Sequence, residues 1–340
     1  GAVESQVATL VVNPLSGIVQ MFNGQTINGN LIGVDATGAS YIRNGTSITK
    51  LGLDGKPMPY GVGTEGVTIT ASNSICGQAP APSAIVTADG TVYASTFSVG
   101  GGGINVCTIQ SDGQIQKIDP SGQKISSIKP TNGESIAPIA FTKTPDGSVY
   151  FVDAIGPKIR KISINDEVTT FASLFSQGQI TDRYSYILGR PLLPSISNNN
   201  SGDLYISSGP SETAFTQIKK ISSAASQTEF AGNGDGNIVD GNLGNASFKS
   251  IRSLQWLASS STLLALDGDS AVVVRELDAQ TGTVRTIAGQ PTSTATDLMQ
   301  GSLPGVLGPY SNYQDTKNLL TGADGGIYIT TKNKVFKIIK

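Results

Sequence analysis

The chain contains no histidine. That absence removes the commonest general base, the commonest zinc ligand and the orienting member of Ser and Cys catalytic triads. Charge is scarce as well: Asp, Glu, Lys and Arg make up 14% of the 340 residues, against about 25% in an ordinary soluble domain. The formal net charge of −2 supplies no positive field, so no nucleic acid is expected as a partner, nor an anionic membrane surface. No apolar run approaches the roughly 18 residues of a membrane-crossing helix, so no transmembrane segment is expected. No charged-then-apolar leader precedes the first strand-like residues, which reads as a processed N-terminus. No Gly-x-Ser-x-Gly elbow occurs either.

Cysteine is limited to Cys76 and Cys107. The pair can form a disulfide, which points to an oxidising compartment; two buried free thiols are the alternative. Aromatic residues are 6% of the chain with one tryptophan, Trp256, so stacking platforms for sugar are few. Tyr184, Tyr186, Tyr310 and Tyr313, in the long stretches between repeats, are the residues that could supply them.

What is abundant is glycine, 41 residues, with 16 prolines and many Ser, Thr, Asn and Val, a balance that favours short strands and turns over helices. Low charge, many hydroxyls and the candidate disulfide suggest a secreted or cell-surface protein. Asn44, Asn199 and Asn245 begin Asn-x-Ser/Thr sequons and are candidate glycosylation sites.

A repeat runs through the chain. ADGTVYAS around Tyr93, PDGSVYFV around Tyr150 and ADGGIYIT around Tyr328 share an Asp-Gly turn followed by a strand. SGDLYISS at Tyr205 and ATGASYIR at Tyr41 are weaker copies, and SSTLLALD places Leu264 at the tyrosine position. After each anchor comes a strand with aliphatic residues three apart, usually carrying a lysine: Lys50, Lys117, Lys161, Lys220 and Lys337, with Glu276 breaking the series. A third strand often follows a second turn. Sheets of this size cannot cover their own apolar faces, but copies arranged radially cover one another. Six copies predict an all-β, six-bladed β-propeller as one domain over residues 1–340. The strand Val7 to Val12, otherwise unplaced, is expected to join the last blade and close the ring.

The segment IKKISSAASQTEFAGNGDG, with the following Asp-Gly and Ala-Ser-Phe, together with KIRKI and VVVRELDAQTGTVRTIAGQ, resembles the NHL-repeat six-bladed β-propellers. The resemblance covers about two thirds of the chain and implies architecture more than activity. Some animal members bind RNA through a basic face. Here no aromatic residues are interleaved with the lysines for base stacking, and nearby acids such as Asp112, Asp119 and Asp166 dilute the field, so a solvated strand face is expected. Lyase and lactonase-type propellers lean on histidine for their metals, which this chain cannot supply.

Local sites are weak. FAGNGDGNIVDGNLGNASF, residues 230–248, fails the EF-hand register and lacks the phosphate-loop lysine. Asp235 and Asp240 remain as weak candidates for a structural calcium ion, and no other cofactor is expected; the alternative is an ordered inter-blade loop with Ala246 and Phe248 packed into the blades. Tetraglycine Gly100 to Gly103 reads as a hairpin insertion in the second blade. No catalytic residue stands out, and the expected function is a non-catalytic extracellular interaction or structural module, binding other proteins or copies of itself. The alternative is a carbohydrate- or small-ligand-binding propeller with its site at the channel mouth, including a histidine-independent hydrolase.

Overall fold

The computed structural model describes residues 17–22, 27, 29–61, 63, 66–68, 83–103, 106–109, 112–156, 158–174, 185–187, 194–209, 215–268, 272–288, 301–302, 318–330 and 335–339. The Asp-Gly repeat folds as one five-residue turn used again and again, at residues 35–39, 87–91, 144–148, 199–203 and 322–326. In each, the first N–H donates to the fifth carbonyl, and the fourth N–H to the first carbonyl. The fourth residue then needs a left-handed backbone: φ is +83° at Gly38, +92° at Gly90, +85° at Gly147, +82° at Gly202 and +76° at Gly325. Only glycine takes that conformation without cost, which explains the Gly of the repeat. The Asp before it, as in Asp89, Asp146 and Asp324, accepts a hydrogen bond from a backbone N–H two residues on. A second set, at residues 52–56, 119–123, 163–167 and 222–226, repeats the same hydrogen bonds, with Asp166 and Ala225 in the left-handed position of the last two.

The anchor strand and the strand after it pair antiparallel in the same register in every blade, so every anchor faces the charged residue of the next strand: Tyr41 opposite Lys50, Tyr93 opposite Lys117, Tyr150 opposite Lys161, Tyr205 opposite Lys220, Leu264 opposite Glu276 and Tyr328 opposite Lys337. Four of these lysines lie over the facing ring, at 5.0 to 5.6 Å from its centre. Each of the five also meets a turn carboxylate, Lys50 with Asp35, Lys161 with Asp146, Lys220 with Asp203, Lys337 with Asp324, and Lys117 with Asp166 of the following blade. The lysine series, expected as a solvated strand face, is partly exposed and forms a set of locally neutralised pairs.

Six antiparallel sheets result, the first built on Asn30–Val34, Ser40–Asn44, Ser47–Leu51 and Pro57–Met58, and the others on the same plan. The inner strands Asn30–Val34, Ala84–Val86, Pro138–Lys143, Ile196–Asn198, Ile251–Leu257 and Asn318–Thr321 touch in sequence, and the sixth touches the first, so the sheets form a ring. Gly17–Gln20 pairs with Val335–Ile339 as the fourth strand of the last blade, with Gly301–Ser302 beyond it, so an N-terminal strand closes the ring as expected. That strand is Gly17–Gln20; Val7 to Val12 lies outside the described residues.

The apolar core lies between neighbouring blades. Tyr205, Phe215, Ile218, Phe248, Leu254, Leu263 and Leu277 fill the space between blades 4 and 5, and Leu264, Val274, Leu319 and Phe336 that between blades 5 and 6. The free inner edges are stitched by side chains: the N–H groups of Leu254 and Trp256 donate to the hydroxyls of Ser195 and Ser197, and the Ser253 hydroxyl donates to the Leu319 carbonyl. Without these bonds the inner strands would bury unpaired backbone groups.

Candidate functional site

Antiparallel strands alternate in direction, so the two ends of every blade differ. All the five-residue turns open onto one face of the ring. The strand ends that bound every connection longer than eight residues lie at the other: residues 21–29, 59–83, 129–137, 174–195, 232–250 and 289–317 between blades, and residues 97–113 inside blade 2. In repeat rings the face that collects the insertions is where binding concentrates, because loops there vary without disturbing the core.

Three buried arginines anchor this loop-bearing face. Arg43 donates to the carbonyls of Gly45, Ser83 and Ser95, tying blade 1 to the start of blade 2. Arg160 is held by Asp153 at 2.9 Å and reaches Glu134 in the segment leading into blade 3. Arg275, fully buried, binds Asp267 at 3.0 Å and Asp240 at 3.0 Å, and donates to the carbonyls of Val239 and Ser247. Asp267 in turn accepts the N–H groups of Lys249 and Ser250. Burial pushes Asp267 up to about 6 against the pull of those amides and of Arg275. Burial likewise raises Asp153 and lowers Arg43 to about 10.

The loop of residues 230–248 is therefore fastened at several points. Both oxygens of Asp240 are engaged, by the Thr286 N–H, the Thr286 hydroxyl and Arg275. Asp235 closes a small turn with Asn233. The two acids face different partners. Among the described residues no group of three or more His, Cys, Asp or Glu side chains gathers as metal ligands. Ala246 and Phe248 are fully buried, Phe248 beneath the Arg275 guanidinium at 4.9 Å.

Tetraglycine lies in Val99–Gly103, which forms a hairpin with Val106–Ile109. Ser185–Ile187, from the connection between blades 3 and 4, pairs with Val106–Ile109 to make a three-stranded sheet on the loop-bearing face. Cys107 sits opposite Tyr186 in that pairing. Cys76, Tyr184, Tyr310 and Tyr313 lie outside the described residues, so the Cys76–Cys107 disulfide does too. Trp256 stacks on Tyr205 between blades 4 and 5, with ring centres 5.7 Å apart and planes 7° apart, and is a packing residue instead of a sugar platform.

Of the sequons, Asn44 and Asn245 are exposed. Asn199 is buried; its carbonyl accepts from Ser201 and Asp203 N–H groups and its amide donates to Asp203. A glycan on that amide is incompatible with this packing. Sequence reasoning missed the arginine clamps because their partners lie in other strands and loops; the signal within reach was an arginine inside an otherwise apolar strand, as in KIRKI and VVVRELD.

No family model matches the chain, and no curated protein sequence matches it. Solved structures do. A Bacteroides thetaiotaomicron protein of unknown function is 15% identical, with a TM-score of 0.62, covering 96% of this chain and 77% of its own. An auxiliary nutrient binding protein from Bacteroides ovatus is 10% identical with a TM-score of 0.57, over 96% of this chain and 77% of its own. At these identities the likeness shows the fold alone, a six-bladed β-propeller; membership of the NHL family does not follow. Virginiamycin B lyase from Staphylococcus aureus also matches, at 15% identity and a TM-score of 0.48, over 95% of this chain and 98% of its own. The expectation that the chain is not an enzyme is corrected on this point. No specific activity comes with these likenesses.

Proposed function

We propose that residues 1–340 act as an NHL-like binding module outside the cell, either secreted or held at its surface, which takes its partner on the loop-bearing face. The carrying observation is the sorting of connections: the strand ends that bound all the long ones lie at one face, and the uniform five-residue turns open onto the other. The three arginine clamps support this reading, because they fix the bases of the loops to a rigid ring and leave their outer parts free to vary. A nutrient is the ligand class named for the Bacteroides neighbours, and a glycan is the form of it we propose to test here. Proteins, including further copies of this chain, are the other class.

The test shortens the blade 2 insertion, residues 97–113, to the two-residue link that blade 1 uses between Asn44 and Ser47. A glycan microarray and protein crosslinking on intact cells are run with both forms, with circular dichroism confirming an intact ring. Loss of a glycan signal or crosslink with the shortened form is expected. Equal binding by both forms, or none by the full chain, refutes this reading, and resistance of the cell-associated protein to added protease refutes the outside location.

A further inference from the structure

The face built from short turns carries an apolar arc. Of the five large apolar side chains that are exposed among the described residues, Leu53, Met58, Ile125 and Ile164 belong to this face or its rim, and only Val239 to the other. Their placement is periodic. Leu53, Pro120 and Ile164 are the second residues of equivalent turns in blades 1, 2 and 3; Met58 and Ile125 are the second residues of the strands that follow in blades 1 and 2. Leu53 and Ile164 each lie against the left-handed glycine of the neighbouring turn in their own blade, Gly38 and Gly147. Blade 4 has polar Ser223 and Thr228 at the two positions, so the arc spans half of the ring.

We propose that this arc is a contact between two copies of the chain, packed turn face to turn face about a two-fold axis. Two observations select a second copy over other occupants. Blades repeat at one spacing, so an arc of side chains set at that spacing interleaves with the same arc rotated onto it, which a two-fold contact requires. Most charged groups near these residues are paired within each copy, Lys50 with Asp35, Lys56 with Asp54, Lys117 with Asp166 and Lys161 with Asp146, and the exposed Lys124 and Glu167 add one charge of each sign. The charges of the face nearly balance, so it has no single-sign field to draw an acidic or basic partner.

This contact rests on the association part of the reading above but uses the opposite face, so the two fail separately. Sedimentation velocity over a wide concentration series is run on the full chain and on Leu53→Glu, Ile164→Glu and Val239→Glu, each checked for folding by circular dichroism. The wild type and Val239→Glu are expected to dimerise alike. Leu53→Glu and Ile164→Glu are expected to weaken the dimer by at least about tenfold, since each would bury an unpaired charge. A wild type that stays monomeric at the highest concentration overturns the contact, as does a dimer that both turn-face variants leave intact. If Val239→Glu alone breaks the dimer, the copies meet through the loop-bearing face and this contact is wrong.

Discussion

Replacing Arg275 by methionine tests the clamp of the loop-bearing face most directly. Methionine keeps much of the apolar stem and its contact with Phe248, but removes the charge beside Asp267 and the donors to Val239 and Ser247. Asp267 is fully buried and retains only two backbone donors. Removing one partner of a buried ion pair costs about 3–5 kcal/mol, so a loss of that order is expected at pH 7. The pH dependence is the sharper signature. In the wild type Asp267 sits at about 6, above its value in the unfolded chain. Its contribution is complete below the unfolded value and is lost as pH rises through about 6. Without Arg275 the folded value rises further, so the penalty keeps growing between pH 6 and 7 in the variant alone. At about 1.4 kcal/mol per unit, moving from pH 7 to pH 5 should return roughly 1.4 kcal/mol of the deficit. Equilibrium unfolding in guanidinium at the two pH values measures this. Adding Asp267→Asn to the variant should recover about 1 kcal/mol or more at pH 7, because the carboxylate is then gone. A loss below about 1 kcal/mol at pH 7, or one that is as large at pH 5, would refute the reasoning.

The turn carboxylates Asp35, Asp89, Asp146, Asp203 and Asp324 all sit below the ordinary carboxylate value; burial opposes this at every one, and hydrogen bonds from neighbouring hydroxyls, amides and lysines outweigh it. Their stabilisation is present above about pH 4 and lost as pH falls below it, so the urea midpoint should drop steeply toward pH 2; a flat midpoint there contradicts the pairing. Gly90→Ala places a methyl 2.5 Å from the Tyr41 hydroxyl at φ +92° and should cost about 2 kcal/mol or more, read as a fall in melting temperature. Ala225→Gly relieves a left-handed alanine at φ +62° and should be neutral to stabilising by up to about 1 kcal/mol, whereas a clear loss would show that its methyl contact outweighs the strain. Expressed in a glycosylating host, the chain should carry glycans at Asn44 or Asn245 and none at Asn199, as peptide mass spectrometry can establish.

Much of the ring was legible because its signals are local. The Asp-Gly turn needs one glycine at one φ, and the strand after it needs an anchor opposite the next charged residue, so Tyr93, Lys117 and their counterparts mark every blade in a single pass along the chain. Ala246 and Phe248 were readable in the same way, as apolar residues leading into an inner strand. That an N-terminal strand joins the last blade was legible because a ring has to close; Gly17–Gln20 makes that pairing, and Val7 to Val12 lies outside the described residues. Trp256 was unreadable as a core residue, since its partner Tyr205 belongs to another blade.

The sequence by itself therefore determined the repeating unit, the all-β class, the number of blades and the exclusion of histidine chemistry, all of which follow from composition and short-range periodicity. Only the tertiary structure decided which groups are neutralised, that Asp240 serves an arginine, that the glycine-rich hairpin pairs with Ser185–Ile187, and that Leu53, Ile125 and Ile164 are exposed toward one face over three blades. The physical reason is separation. A turn is settled by its own five residues, whereas an ion pair, a shared sheet or a surface patch depends on residues tens of positions apart, which only the closed ring brings within reach.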